Sequence, residues 1–167
     1  MNAATKHKIC LLGDVGVGKT SLVTRFVHGG YSADYLTTVG VKIDTKVVEP
    51  PRGSTVKFVI WDIAGTEALS SIDRTYTRGA SGFFLVADGT RPASLEVAAG
   101  LHDQLDDELK ALPFVPIINK RDLAAELTDE SMARWRQAGF GAITTSARTG
   151  ENVEFAFAQL AMQIALS

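Results

Sequence analysis

The chain has 167 residues, 46% of them hydrophobic, which is enough for one globular domain with its own core. A formal charge of −2 without any Lys/Arg block excludes an electrostatic footprint for nucleic acid or for an anionic membrane surface. A single cysteine, Cys10, excludes a disulfide framework, and no apolar run nears the roughly 20 residues of a membrane span.

Residues 8–12 predict a first strand and residues 18–27 a first helix. Cys10 falls in that strand and reads as a buried structural thiol. Between the two stands Gly13-Asp14-Val15-Gly16-Val17-Gly18-Lys19-Thr20. Strand, glycine-rich loop and helix form the context in which Gly-x4-Gly-Lys-Thr cradles a polyphosphate. Glycines at 13, 16 and 18 let the backbone turn its N–H groups inward, and the helix adds its positive end. Lys19 supplies a point charge for the β and γ phosphates, and Thr20 offers a hydroxyl to Mg²⁺. The expected phosphate-binding set is Asp14, Val15, Gly16, Val17, Gly18, Lys19, Thr20 and Ser21.

Further along, 42–49 and 55–62 are strand-like, and Pro50-Pro51-Arg52-Gly53-Ser54 between them predicts an antiparallel hairpin. Residues 82–87 form a continuous apolar strand of the kind buried on both faces of a parallel sheet. A helix is expected from about Ser94, with Leu101, Leu105, Leu109 and Leu112 along one face. Residues 115–119 are the next strand, 129–138 a helix and 142–145 a last strand. A final helix from near Glu151 buries Val153, Phe157, Leu160, Ala161 and Ile164. The sum is a single α/β domain over residues 1–167. Its doubly wound sheet has about six strands, mostly parallel with one antiparallel hairpin strand, and helices on both faces. In such sheets ligands sit at the carboxyl ends of the strands, where the remaining motifs also fall.

Asn119-Lys120-Arg121-Asp122 directly follows the fifth strand. A carboxylate at Asp122 can accept from the N1–H and exocyclic amine of guanine, whereas adenine would leave it unpaired, so the site selects guanine. By itself this motif is a polar turn; after a phosphate loop it is a base-reading segment. Ser146-Ala147-Arg148, after the last strand, would bring a backbone N–H to the base oxygen. Trp61-Asp62-Ile63-Ala64-Gly65 ends the third strand. Asp62 fits the acidic residue that holds Mg²⁺ through water, and Gly65 lets an N–H meet the γ-phosphate. Thr38 lies in a polar connection from which it can close over Mg²⁺ and the γ-phosphate, which makes Thr20, Thr38 and Asp62 the expected metal set.

In this order and spacing the elements resemble a Ras-superfamily small GTPase, a three-layer P-loop NTPase fold, over essentially the whole chain. The Rab branch is nearest, through Gly-Asp-x-Gly-Val-Gly-Lys at 13–19, Thr-Val-Gly-Val at 38–41, Tyr-x-Arg-Gly-Ala at 76–80 and Thr149-Gly150-Glu151-Asn152-Val153. The resemblance implies a GTP/GDP switch with Mg²⁺, Tyr31 on the guanine edge, Tyr35 over the phosphates and the Lys120 stem over the base. It implies that residues 31–43 and 64–78 are the switch segments met by effector, exchange-factor and activating proteins. Lys19, Thr38, Gly65 and Thr66 then form the catalytic set.

The chain also departs from that pattern. Thr66 stands where most relatives carry the glutamine that orients the attacking water, and its short hydroxyl cannot both hold water and contact the transition state. Val15 stands where glycine, serine or alanine is usual, and its stiff branched side chain crowds the γ-phosphate side, where a partner's arginine would enter. Together they predict intrinsic turnover at or below about 10⁻⁴ s⁻¹, on the scale of unassisted members of the superfamily. Glu67-Ala68-Leu69-Ser70-Ser71 lacks the Arg-Phe pair of Rab relatives, so effector identity stays open. The chain stops at Ser167 without a terminal cysteine or basic tail, so no lipid anchor is expected in it. Either a longer protein has been trimmed to this length or the relative never used prenyl anchoring. A cytoplasmic monomer is expected, recruited to membranes, if at all, by a partner or by a tail missing from this sequence. Two other functions compete: a guanine-nucleotide-bound scaffold that does not cycle, and an ATP-using phosphotransferase, which Asp122 disfavours.

Overall fold

Alternation along the strands decides the architecture. In β1 (Thr5–Gly13), Ile9 and Leu11 face one core, while Cys10 and Leu12 face a second. The same split divides Phe84 and Val86 from Phe83 and Leu85 in β4 (Gly82–Asp88), whose residues are all buried, so both faces of this sheet must be covered. The computed structural model describes residues 3–31, 40–63, 74–123 and 127–167. Among them six strands form one sheet in the order β2-β3-β1-β4-β5-β6, with β2 (Val41–Val48), β3 (Val56–Ile63), β5 (Phe114–Asn119) and β6 (Ile143–Thr144) completing the set. β2 runs antiparallel to β3, with Val41 opposite Ile63 and Val48 opposite Val56, so the expected hairpin is present. The other pairings are parallel.

One face carries α1 (Lys19–His28) and the last helix, α6 (Val153–Ala165). The rings of Phe26 and Phe157 stack there with centroids 3.8 Å apart and planes 8° from parallel. The opposite face carries α3 (Pro92–Gln104) and α5 (Asp129–Gln137). Trp135 is fully buried on that side and its Nε1 donates to the Leu95 carbonyl at 2.9 Å, so the one polar atom of the ring is satisfied. The short helix α2 (Arg74–Thr77) precedes β4. Burial pushes the Cys10 thiol up to about 12, which suits an unreactive core residue. Among the described residues no helix is long and apolar enough to cross a membrane.

The long apolar face expected from Ser94 to Leu112 is not one helix. α3 starts earlier, because Pro92 fits a first helical position whose N–H needs no partner. It stops at Gln104, where Leu105 turns extended (φ −64°, ψ 146°). Asp106 then accepts from the Leu109 amide at 2.9 Å and caps a separate turn, α4 (Asp107–Lys110). Leu105 and Leu109 are buried all the same, so the periodicity found the right face and missed the break. The final helix begins at Val153, two residues after Glu151, and the last strand is shorter than expected.

Candidate functional site

β1 is flanked by β3 on one side and β4 on the other, so the chain order reverses beside its carboxyl end. The loop 13–20 leaves the sheet at that point. Two of its glycines are required by close approach. A Cβ on Gly13 would lie 2.4 Å from the Val86 carbonyl oxygen, and one on Gly18 (φ 99°) would lie 2.3 Å from Asn119 Nδ2.

The loop carbonyls are held in sequence. Lys19 Nζ donates to the Gly13 and Asp14 carbonyls at 3.0 and 2.9 Å. Arg91 Nη2 donates to Val15 at 2.8 Å, Lys120 Nζ to Gly16 at 2.7 Å and Asn119 Nδ2 to Val17 at 3.1 Å. The Gly18 carbonyl accepts the Leu22 amide at 2.9 Å, as the first bond of α1. A trans peptide points its N–H away from its carbonyl, so the amides of residues 16–19 face away from these partners, as an anion-binding nest requires. No side-chain oxygen caps α1 at Gly18, so the positive end of the helix adds to that nest. Asp14 Oδ1 accepts the Val15 amide at 2.7 Å, and the Val15 side chain stays 48% exposed. Ser21 is half-buried in the first turn of α1.

Lys19 is buried, and desolvation pulls its ammonium down to about 8 against the opposing pull of Asp62 and Asp14, with Arg91 adding repulsion. Asp62, at the end of β3, is also buried; Thr20 Oγ1 donates to its Oδ2 at 2.5 Å. Two hard oxygen donors brought together from different elements fit the chemistry of Mg²⁺. Tyr31 is 42% exposed. Tyr35, Thr38, Gly65 and Thr66 lie outside the described residues, as does most of each expected switch segment.

At the end of β5, Asn119 Oδ1 accepts from Thr145 Oγ1 at 2.9 Å and from the Ala147 amide at 3.3 Å. Lys120 adopts a left-handed backbone (φ 68°), a strained state for a residue with a side chain, as is common at functional sites. Its ammonium lies 2.8 Å from Asp88 Oδ2. Ser146 Oγ donates to Asp122 Oδ1 at 2.8 Å, and Arg148 Nη1 stands 3.9 Å from Oδ2, so the carboxylate is oriented with acceptor capacity left over. The Ser146 amide is taken by the Glu151 carbonyl at 3.0 Å. Of the 146–148 run, Ser146 therefore acts on Asp122 through its hydroxyl.

Three residues escaped sequence reasoning. Asp88, fully buried, accepts from the Thr90 amide and hydroxyl at 2.8 and 2.6 Å, from Arg91 Nε at 3.0 Å and from Lys120. Burial pushes its carboxyl up, but the bonds from Lys120, Thr90 and Arg91 prevail and hold it below the usual range. The signal for it was an acidic residue closing an otherwise apolar strand. Arg91 and Arg25 carried none. Arg25 donates through Nε to the Ala147 carbonyl at 2.8 Å and through Nη2 to that of Arg148, fastening residues 147–148 to α1.

A sequence model of the Ras family matches residues 8–166. "Ras-related protein Rab-32A" of Dictyostelium discoideum is 35% identical over 159 residues, which span 89% of this chain and 73% of that protein. "Ras-related protein RIC2" of Oryza sativa subsp. japonica is 37% identical over 161 residues, 94% of this chain and 74% of that protein. "Ras-related protein Rab-13" of Canis lupus familiaris is 32% identical over 163 residues, 95% of this chain and 80% of that protein.

Proposed function

The chain belongs to the Ras family, as a small GTPase near the Rab branch, and from that premise we propose how it works as a guanine-nucleotide switch. One G domain spanning 1–167 holds GTP or GDP, with residues 14–21 around the phosphates. Asn119, Lys120, Asp122, Ser146, Ala147 and Arg148 surround the base, and Tyr31 and Tyr35 form the rim. Thr20, Asp62 and Thr38 would hold Mg²⁺, which would supply positive charge against the β and γ phosphates. Lys19 adds a desolvated positive charge on the phosphate side, and Gly65 offers an amide to the γ-phosphate. The observation that most supports this reading is the unbroken series of carbonyls from Gly13 to Val17, each held by Lys19, Arg91, Lys120 or Asn119.

Hydrolysis by the chain alone is slow. Thr66 cannot position the attacking water as a glutamine would, and Val15 crowds the entrance an activating partner's arginine would use. The protein is a monomer that meets its effectors, exchange factors and activators through residues 31–43 and 64–78. Single-turnover phosphate release tests the hydrolysis: at or below about 10⁻⁴ s⁻¹ agrees, and about one per minute contradicts it. A second reading, a GTP-locked scaffold, draws on the half-exposed Val15 side chain at the loop. It requires that no activating partner raise the rate.

A further inference from the structure

We propose that Arg91 is a positioning residue for the phosphate loop, holding the Val15 carbonyl outward so that the Gly16 amide is presented to the nucleotide and release is slowed. The proposal rests on the guanine-nucleotide reading above and assigns retention to a residue outside the binding motifs. The guanidinium spans three groups: Nε donates to Asp88 Oδ2 at 3.0 Å, Nη2 donates to the Val15 carbonyl at 2.8 Å, and Nη1 lies 3.8 Å from Asp14 Oδ2. The first two are within hydrogen-bond reach; the third is a screened surface pair and contributes little.

The base of this tie is rigid. Arg91 stands at the N-cap position of α3, its amide donates to the Asp88 carbonyl at 3.1 Å, and its own carbonyl accepts from the Ser94 amide at 2.9 Å and from Ser94 Oγ at 2.7 Å. Ser94 is itself fully buried, and its Oγ receives the Asp88 amide at 2.8 Å. Asp88 Oδ2 serves two cations, Arg91 and Lys120, which hold the successive carbonyls of Val15 and Gly16. One buried carboxylate thus anchors two neighbouring peptide groups of the loop. Without the Arg91 tie, the nucleotide itself would have to order Val15 and Gly16 on binding, which lowers affinity. A guanidinium suits the task because its rigid planar fork fixes the directions of its bonds to the carboxylate and the carbonyl, whereas a flexible ammonium stem fixes neither.

The test loads wild type, Arg91→Ala and Arg91→Lys with mant-GDP or mant-GTP in Mg²⁺ and chases with excess unlabelled GDP. Release of both nucleotides is expected about tenfold faster from Arg91→Ala, the size of one net hydrogen bond, with partial recovery in Arg91→Lys. The preference for GTP over XTP stays within about twofold of wild type, which separates positioning of the loop from base reading. Release from Arg91→Ala at the wild-type rate overturns the proposal. Should Arg91→Ala not fold, wild-type release from Arg91→Lys overturns it. Wild type that fails to take up mant-GDP overturns the nucleotide reading along with it.

Discussion

Asn119 reaches across 102 positions of sequence to donate from Nδ2 to the Val17 carbonyl at 3.1 Å, tying the end of β5 to the loop 13–20. Its other side-chain atom accepts from Thr145 and Ala147, so one buried amide closes three bonds between β5, the residues after β6 and the loop. The segment after β5, the residues after β6 and the loop are therefore one hydrogen-bonded unit, so a change at Asn119 is expected to act on the loop 13–20.

Replacing Asn119 by alanine strands a buried carbonyl, a hydroxyl and an amide together. The expected loss of stability is about 3 kcal/mol, which for a chain of this size lowers Tm by roughly 10 °C. Thermal unfolding followed by circular dichroism checks it. Nucleotide release measured on the same variant is expected to be faster than wild type.

Asp122→Asn is expected to reduce the preference for GTP over XTP by about tenfold or more, because an amide accepts on one side only. The Ser146 hydroxyl can still donate to the new side chain, so the variant folds. Competition of GTP and XTP against a fluorescent GDP analogue measures the effect, and unchanged discrimination contradicts the assignment.

Thr66→Gln is expected to raise the single-turnover rate several-fold if water positioning limits hydrolysis. An unchanged rate shifts the cause to Val15, and Val15→Gly in the same assay then carries the increase.

His102 provides a dependence on pH away from the site. Its ring packs against Phe114 and Phe140, each with centroids 5.0 Å away, and among the described residues its buried Nε2 has no hydrogen-bond partner. Burial lowers its pKa from 6.5, Lys110 adds to the shift and Asp103 opposes it. The folded protein therefore binds this proton less readily than the unfolded chain. That contribution to stability is intact above the unfolded value and is lost as pH falls below it. Between about pH 7.5 and 5.5 the wild type should lose more Tm than His102→Phe; equal losses contradict the assignment.

What the sequence revealed and what it hid follow from the range of the interactions. The loop 13–20 was legible because its chemistry is backbone chemistry, encoded by glycines and the adjoining Lys19-Thr20. That both faces of the sheet are covered was legible from the continuous apolar run 82–87, whose Phe84 and Val86 enter one core and Phe83 and Leu85 the other. The break at Leu105 was hidden, because an aspartate cap at Asp106 competes with a leucine periodicity that continues past it. Arg91 was hidden for another reason: its partner Val15 lies 76 residues away, and only the folded sheet brings β4 beside the loop.

The most direct measurement is titration calorimetry of the nucleotide-stripped protein with GDP and with ADP, both in Mg²⁺. Saturable heat with GDP and none with ADP is the expected result. No heat with GDP, or equal heat with ADP, would contradict the assignment of residues 13–20 and Asp122 to a guanine nucleotide.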